Sequence, residues 1–216
     1  MEITWYGHAC FRLRDKGATI VTDPYTPSVG YTLPKVRADI VTVSHNHAGH
    51  NYVSGVKDSP KVIDGPGEYE IKGVFITGIA TFHDRKKGVQ RGCNTVFLFE
   101  CDGLTICHLG DLGHVPTQDQ VEALSDVDIL LIPVGGVSTI GASQAAEVIS
   151  LLEPRIVIPM HYKTKGLTLK LAPVQQFLQE MGLKKLAAQE SLKVTEGTLP
   201  EETQIVLLDC RAEQAQ

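Results

Sequence analysis

The run Ser44-His45-Asn46-His47-Ala48-Gly49-His50 places three imidazoles within six positions, just beyond a short apolar stretch at 40–43. Imidazole suits zinc, iron, nickel and copper, and two or three rings from one loop can share a cation. The whole chain holds eight histidines in 216 residues, so this density points to metal binding rather than to a polar loop that carries histidine by chance. Three further segments end apolar runs with a potential ligand: Ala80-Thr81-Phe82-His83-Asp84, His108-Leu109-Gly110-Asp111 and Pro159-Met160-His161-Tyr162. Taken singly, each reads as a turn residue or a structural histidine. Taken together and in this order, they are what a metal site on a sheet scaffold requires.

Ligands of that kind need strand ends to present them. Short β-branched or aromatic runs at 3–6, 10–14, 18–22, 40–43, 62–63, 68–71, 74–80, 95–100 and 104–108 predict strands, with little helix before about residue 110. Tight hairpin turns fit Cys101-Asp102-Gly103 and Ile71-Lys72-Gly73. The second half alternates. Helices are expected at 117–124, at 143–152 with Ser143 as N-cap, and at 173–181; strands are expected at 129–134, 155–159 and 204–209. The runs at 129–134 and 155–159 are apolar enough to be buried on both faces. The expected architecture is α/β, two sheets covered by helices in a layered sandwich, and one domain over 1–216 because no flexible linker or short repeat interrupts it.

The ligand order resembles that of the metallo-β-lactamase superfamily, whose motif is His-x-His-x-Asp-His, then a His, a bridging Asp and a last His, each at a strand end. Thr4-Trp5-Tyr6-Gly7-His8-Ala9-Cys10-Phe11 looks like the start of the small UlaG-like branch of predicted metal-dependent hydrolases. So do Arg91-Gly92-Cys93-Asn94-Thr95, Ile132-Pro133-Val134-Gly135-Gly136 and Ile158-Pro159-Met160-His161-Tyr162, and the resemblance covers nearly the whole chain. It implies the αββα sandwich, two mixed β-sheets flanked by helices. It also implies His45, His47 and His83 as a first metal site, Asp111 as the bridging carboxylate, and His50 and His161 as the second site. Asp23 resembles the superfamily's strand-end Asp, which can hold a ligand imidazole by its other nitrogen; the alternative is a turn before Pro24. His8 is expected to contact substrate or donate a proton, or else to pack against the ligand loop. His114 is expected to face the substrate pocket or solvent, and His108 to be structural.

Gly49 departs from the motif, standing where the superfamily has Asp, and Asn46 and Gly141 also stand where many relatives of this branch have Asp. The second site then keeps three ligands instead of four. Three outcomes are open: a single working metal, a binuclear centre completed by Asp84 or another carboxylate, or a degenerate protein that hydrolyses nothing. The leading expectation is a metal-dependent hydrolase in which metal-bound hydroxide attacks an ester, lactone, amide or phosphodiester. Zinc is the default, one or two ions, with manganese, iron or nickel as alternatives. The rival is a non-enzymatic metal- or ligand-binding protein on the same scaffold.

Composition narrows the partners. A net charge of −5 and a pI near 5.9 disfavour nucleic acid and anionic membranes. No apolar run approaches the roughly 20 residues of a membrane span. The start of the chain lacks the features of a signal peptide, so a cytoplasmic protein is expected, with a small-molecule substrate and possible homo-oligomers. An exported antibiotic β-lactamase is disfavoured on the same ground. The 49 residues between Asp111 and His161 leave no room for the inserted domain of the superfamily's nucleases. The five cysteines match no zinc ribbon or redox pair, and Cys10, Cys93, Cys101 and Cys107 are expected to be buried. Val134-Gly135-Gly136-Val137-Ser138-Thr139 reads as pocket wall or as a plain tight turn, not as a P-loop.

Overall fold

In the strand Phe11–Arg14, buried Phe11 and Leu13 alternate with the more exposed Arg12 and Arg14, the period of two that a sheet covered on one face imposes. The computed structural model describes residues 1–214. The first sheet is a meander of Glu2–Trp5, Phe11–Arg14 and Thr19–Thr22, continued in parallel by Ile40–Thr42 and Lys61–Ile63. Leu192–Lys193 joins it at the far edge beside Glu2–Trp5, a pairing too short to announce itself in the sequence. The second sheet runs antiparallel through Gly67–Ile71, Val74–Phe82, Cys93–Cys101 and Leu104–His108, then parallel through Ile129–Pro133, Ile156–Met160 and Gln204–Ile205. Both expected hairpin turns form: Lys72-Gly73 and Asp102-Gly103 have positive φ at both positions, the geometry whose twist matches that of the flanking strands.

The inner faces of the two sheets meet in one apolar core, with Ile3, Trp5, Phe11 and Ile40 from the first against Ile76, Phe97, Phe99 and Ile106 from the second. Ile129–Pro133 and Ile156–Met160 are buried along their whole length, as expected of parallel strands covered on both sides. Three α-helices follow the second sheet's strands: α1 (Gln118–Ala123), α2 (Ala142–Leu152) and α3 (Val174–Glu180). Val148 and Ile149 of α2 and Phe177 and Leu178 of α3 join the same core. The layered α/β sandwich is thus as expected. The outer side of the first sheet is different in kind: Val21 and Val41, facing away from Ile20 and Ile40, pack with Tyr25, Val29, Tyr31, Leu33 and Val36. Irregular chain with short 3₁₀ turns, rather than an α-helix, makes that layer among the described residues.

Three expectations need correction. Helix α2 begins one residue earlier than predicted, with extended Gly141 at its N-cap, so Ser143 sits inside the first turn and caps nothing. The expected strand at 204–209 divides: Gln204–Ile205 pairs with Ile156–Met160, whereas Leu207–Leu208 pairs with Ala188–Gln189. Cys93 is exposed, because it opens its strand opposite Phe82 at the end of the hairpin; Cys10, Cys101 and Cys107 are buried.

Candidate metal centre

Strand direction gathers the polar residues at one edge. Thr22 and Thr42 are parallel partners, and the chain leaves them into Asp23 and into the histidine-rich loop. In the second sheet, two antiparallel steps separate Val74–Phe82 from Leu104–His108, so these strands run the same way, and Ile156–Met160 is parallel to them. Their ends therefore release His83, Asp111 and His161 on the same side, the usual location of sites on open α/β sheets.

Asp111 occupies the middle. Its Oδ2 lies 3.3 Å from His83 Nε2, 3.4 Å from His50 Nε2 and 4.0 Å from His45 Nε2. Its Oδ1 lies 3.3 Å from His161 Nε2. The potential ligand atoms of His45, His47 and His83 fall within 4.8 Å of one another, as do those of His45, His50 and Asp111 and those of His8, His50 and His161. All of these side chains are buried except His47, which is exposed at the mouth. Asn94 fixes the carboxylate: its Oδ1 accepts from the Asp111 backbone N–H at 2.9 Å, and its amide donates to Thr81 Oγ1 and Leu109 O. Gly110 makes the approach possible. Its φ is +55°, and a Cβ there would lie 2.5 Å from Asn94 Oδ1 and 2.6 Å from Ser44 Cβ.

A second buried carboxylate sets the histidine tautomers. Asp23 Oδ1 accepts from the Ser44 backbone N–H at 2.7 Å, and Asp23 Oδ2 accepts from Ser44 Oγ–H at 2.6 Å and from His50 Nδ1–H at 2.8 Å. Because the Ser44 hydroxyl spends its proton on Asp23, it accepts from His45 Nδ1–H at 2.9 Å. One carboxylate thereby directs Nε2 of both His45 and His50 into the cluster, the arrangement by which proteins orient metal-binding imidazoles. His8, Asp23 and His161 all hold φ between +40° and +52°. Backbone of that kind costs about 1–3 kcal/mol per residue and concentrates at functional sites.

The charges follow from burial and proximity. Burial works against the ionised form of Asp111, yet the imidazoles of His161 and His50 outweigh it and hold the carboxyl well below its ordinary range. His50 shows the same balance: burial disfavours its charge, but Asp111 and Asp23 raise its pKa to about 10. His45 goes the other way, pushed down to about 3 by burial and by the charge on His50. His8, His83 and His161 are lowered too, burial being the largest cause in each. The centre thus combines an anionic oxygen with neutral imidazoles at His8, His45, His83 and His161, the protonation states that cations select, whereas His50 holds a proton that a cation would displace. Nε2 of His45 and Oδ1 of Asp111 are buried without a hydrogen-bond partner among the described residues. Such atoms are rare and call for a partner; here they converge, and a divalent cation of borderline softness fits the donor set.

The structure thus brings together His8, His45, His47, His50, His83, Asp111 and His161. It does not bring in His114: the Phe82 N–H donates to its Nε2 at 3.2 Å and its Nδ1–H donates to Val115 O at 2.8 Å. Both ring nitrogens are committed to backbone, so the expected approach to the pocket is not seen. His108 donates to Ala9 O at 2.8 Å and is structural. Asp84 does not take up the role left by Gly49, because its two oxygens accept from the backbone N–H groups of Lys86, Gly88, Gln90 and Arg91. Those four bonds instead shape the 84–91 loop and set Arg91 at the pocket rim. The pocket over the cluster is about 370 Å³, lined by His8, His47, His83, Arg91, Asp111, Ser138 and His161 among others. A larger cleft of about 820 Å³ beside α1 contains none of these groups. Sequence reasoning missed Ser44 and Asn94, although Ser44 directly precedes the histidine run and Asn94 lies in a segment already singled out.

Residues 2–161 match the beta-lactamase superfamily domain family. A UPF0173 protein of Pyrococcus abyssi is 31% identical over 186 residues, covering 77% of this chain and 85% of its own length. A UPF0173 metal-dependent hydrolase of Lysinibacillus sphaericus is 30% identical over 195 residues, covering 76% and 86%. Among solved structures, a Thermotoga maritima protein of the metallo-beta-lactamase superfamily, named as a zinc-dependent hydrolase, shares 46% identity. It superposes with a TM-score of 0.80 over 96% of this chain and 97% of that one.

Proposed function

Because the chain belongs to the metallo-β-lactamase superfamily, we propose that it is a metal-dependent hydrolase of a small molecule, with its centre at the Asp111 cluster. The observation that carries the reading is the position of Asp111, whose two oxygens reach toward His45, His50 and His83 on one side and His161 on the other. His45, His47 and His83 would hold a first cation, His50 and His161 a second, and Asp111 would bridge them. Zinc is the metal we propose, with manganese, iron or nickel as alternatives to be settled by elemental analysis. Divalent cations in such a site supply Lewis acidity toward a substrate oxygen and make water a better nucleophile near neutral pH.

The chain's own residues account for the rest of the reading. Asp23 and Ser44 hold the His45 and His50 rings in the tautomer that leaves Nε2 free. Asn94 and Gly110 aim the Asp111 carboxylate. The pocket volume suits a small molecule, and Arg91 with Ser138 at its wall favours an ester, lactone, amide or phosphodiester that carries negative charge. No helix among the described residues is long and apolar enough to cross a membrane. We place the protein in the cytoplasm, without nucleic-acid partners and able to form homo-oligomers.

The test is hydrolysis of a panel of small esters, lactones and phosphodiesters by chelator-stripped protein reloaded with each metal. Activity that returns with metal and is lost in His45→Ala and Asp111→Ala supports the reading. A folded, metal-loaded protein inert to the whole panel favours the second reading, a metal-binding protein that keeps the scaffold without catalysis; the observation in its favour is Gly49.

A further inference from the structure

Gly49 leaves the second site short of a ligand, and the structure has something else in that place. A Cβ built on Gly49 would lie 2.8 Å from His8 Nε2, closer than non-bonded atoms approach, and 3.3 Å from His8 Cδ2. The imidazole of His8 therefore fills the space that an aspartate at position 49 would enter. It is 2% exposed, and its Nε2 stands 3.1 Å from His50 Nε2. Its ring centroid is 4.7 Å from that of His50 and 4.3 Å from that of His161. The potential ligand atoms of all three rings lie within 4.8 Å of one another.

The backbone holds His8 there. Its carbonyl accepts from Trp5 Nε1–H at 3.1 Å and from the His161 N–H at 3.0 Å, so His8 and His161 are fixed to each other as well as to the core. Two imidazole nitrogens facing each other at 3.1 Å either share a proton or turn two lone pairs on one point, and a cation at that point satisfies both.

Building on the hydrolase reading above, we propose that His8 is the missing ligand of the second metal site, so that His8, His50, His161 and Asp111 hold the second ion. Gly49 is then the clearance that admits His8, and the two positions are alternatives: an aspartate at 49 requires the ring to swing out. Replacing a carboxylate by a neutral imidazole also changes what the site selects. Three imidazoles and one shared carboxylate favour zinc, cobalt or nickel over manganese or magnesium, which prefer oxygen.

The test counts and titrates metal rather than following turnover. Full-length protein, stripped with chelator and titrated with Co²⁺, is followed by visible absorption, and bound metal is measured by elemental analysis after desalting. Wild type is expected to bind two ions. His8→Ala is expected to keep the first ion with unchanged affinity, which shows that it is folded, and to bind the second more weakly by at least about tenfold. His8→Ala/Gly49→Asp is expected to restore the second ion, because the aspartate then occupies the space the ring has left. A His8→Ala protein that binds the second ion as wild type does, or a folded double variant without restoration, overturns the assignment of His8. So does a wild type that binds one ion. A wild type that binds no ion at all overturns the hydrolase reading itself.

Discussion

Replacing Asp23 by Asn changes one atom in a fully buried group, and the hydrogen bonds around it make the consequence calculable. The carboxylate accepts from three donors, the Ser44 N–H, the Ser44 hydroxyl and His50 Nδ1–H, at 2.6–2.8 Å. An amide offers one accepting oxygen and one donating nitrogen, so in either orientation a donor faces a donor. If the nitrogen faces His50, the ring has to give up its Nδ1 proton, and the tautomer that remains carries its proton on Nε2, the atom that points at Asp111 and would face a bound cation. If it faces the Ser44 N–H, a buried backbone donor is left unpaired. An unsatisfied buried group costs about 1–3 kcal/mol, and loss of a group that orients a metal-binding imidazole weakens metal affinity roughly 10–100-fold. Denaturant unfolding of the stripped protein reads the first quantity, and competition for Zn²⁺ against a chromophoric chelator reads the second. A folded Asp23→Asn protein whose zinc affinity stays within about twofold of wild type would refute the claim that this carboxylate sets the tautomers.

The metal-free protein should be acid-labile. His45, His8, His83 and His161 have lowered pKa values when folded, so the unfolded chain takes up protons first and stability falls as pH drops below about 6.5. For His45, whose folded pKa is about 3, the loss between pH 7 and 5.5 is about 1 kcal/mol; unfolding curves that coincide at the two pH values would contradict this. His50 has the opposite sign: its contribution is full below about 6.5 and is lost as pH rises toward its folded pKa of about 10. At pH 8, filling the second site should therefore release about one proton, read by calorimetry in buffers of different ionisation enthalpy. Gly110→Ala should cost about 1–3 kcal/mol, because the new methyl meets Asn94 and Ser44 at positive φ. It should weaken metal binding as well; a stable variant with unchanged affinity would show that Asp111 does not depend on this close approach.

The kind of site expected here is written in the local pattern of the chain. Three histidines within six residues, and single potential ligands at 83, 111 and 161 each following a strand, stand out because spacing and residue type are local properties. Strand period and hairpin signals such as Lys72-Gly73 are local too, so the layered fold could be read from them. The geometry was decided by residues that meet only across the sheets. His8 is far from His161 in the chain, yet their backbones are bonded and their rings both lie beside His50. The pairing of Asp23 with Ser44, and of Asn94 with the Asp111 backbone, depends on strand register and leaves no trace in either residue's own neighbourhood. The same holds for rejection: Asp84 is a carboxylate beside His83 in sequence, but its loop folds around it and consumes both oxygens. Gly49 is the clearest case. In sequence it is a missing aspartate; in the folded chain it is the space that a histidine from the turn after the first strand fills, because van der Waals exclusion between distant residues is a tertiary property.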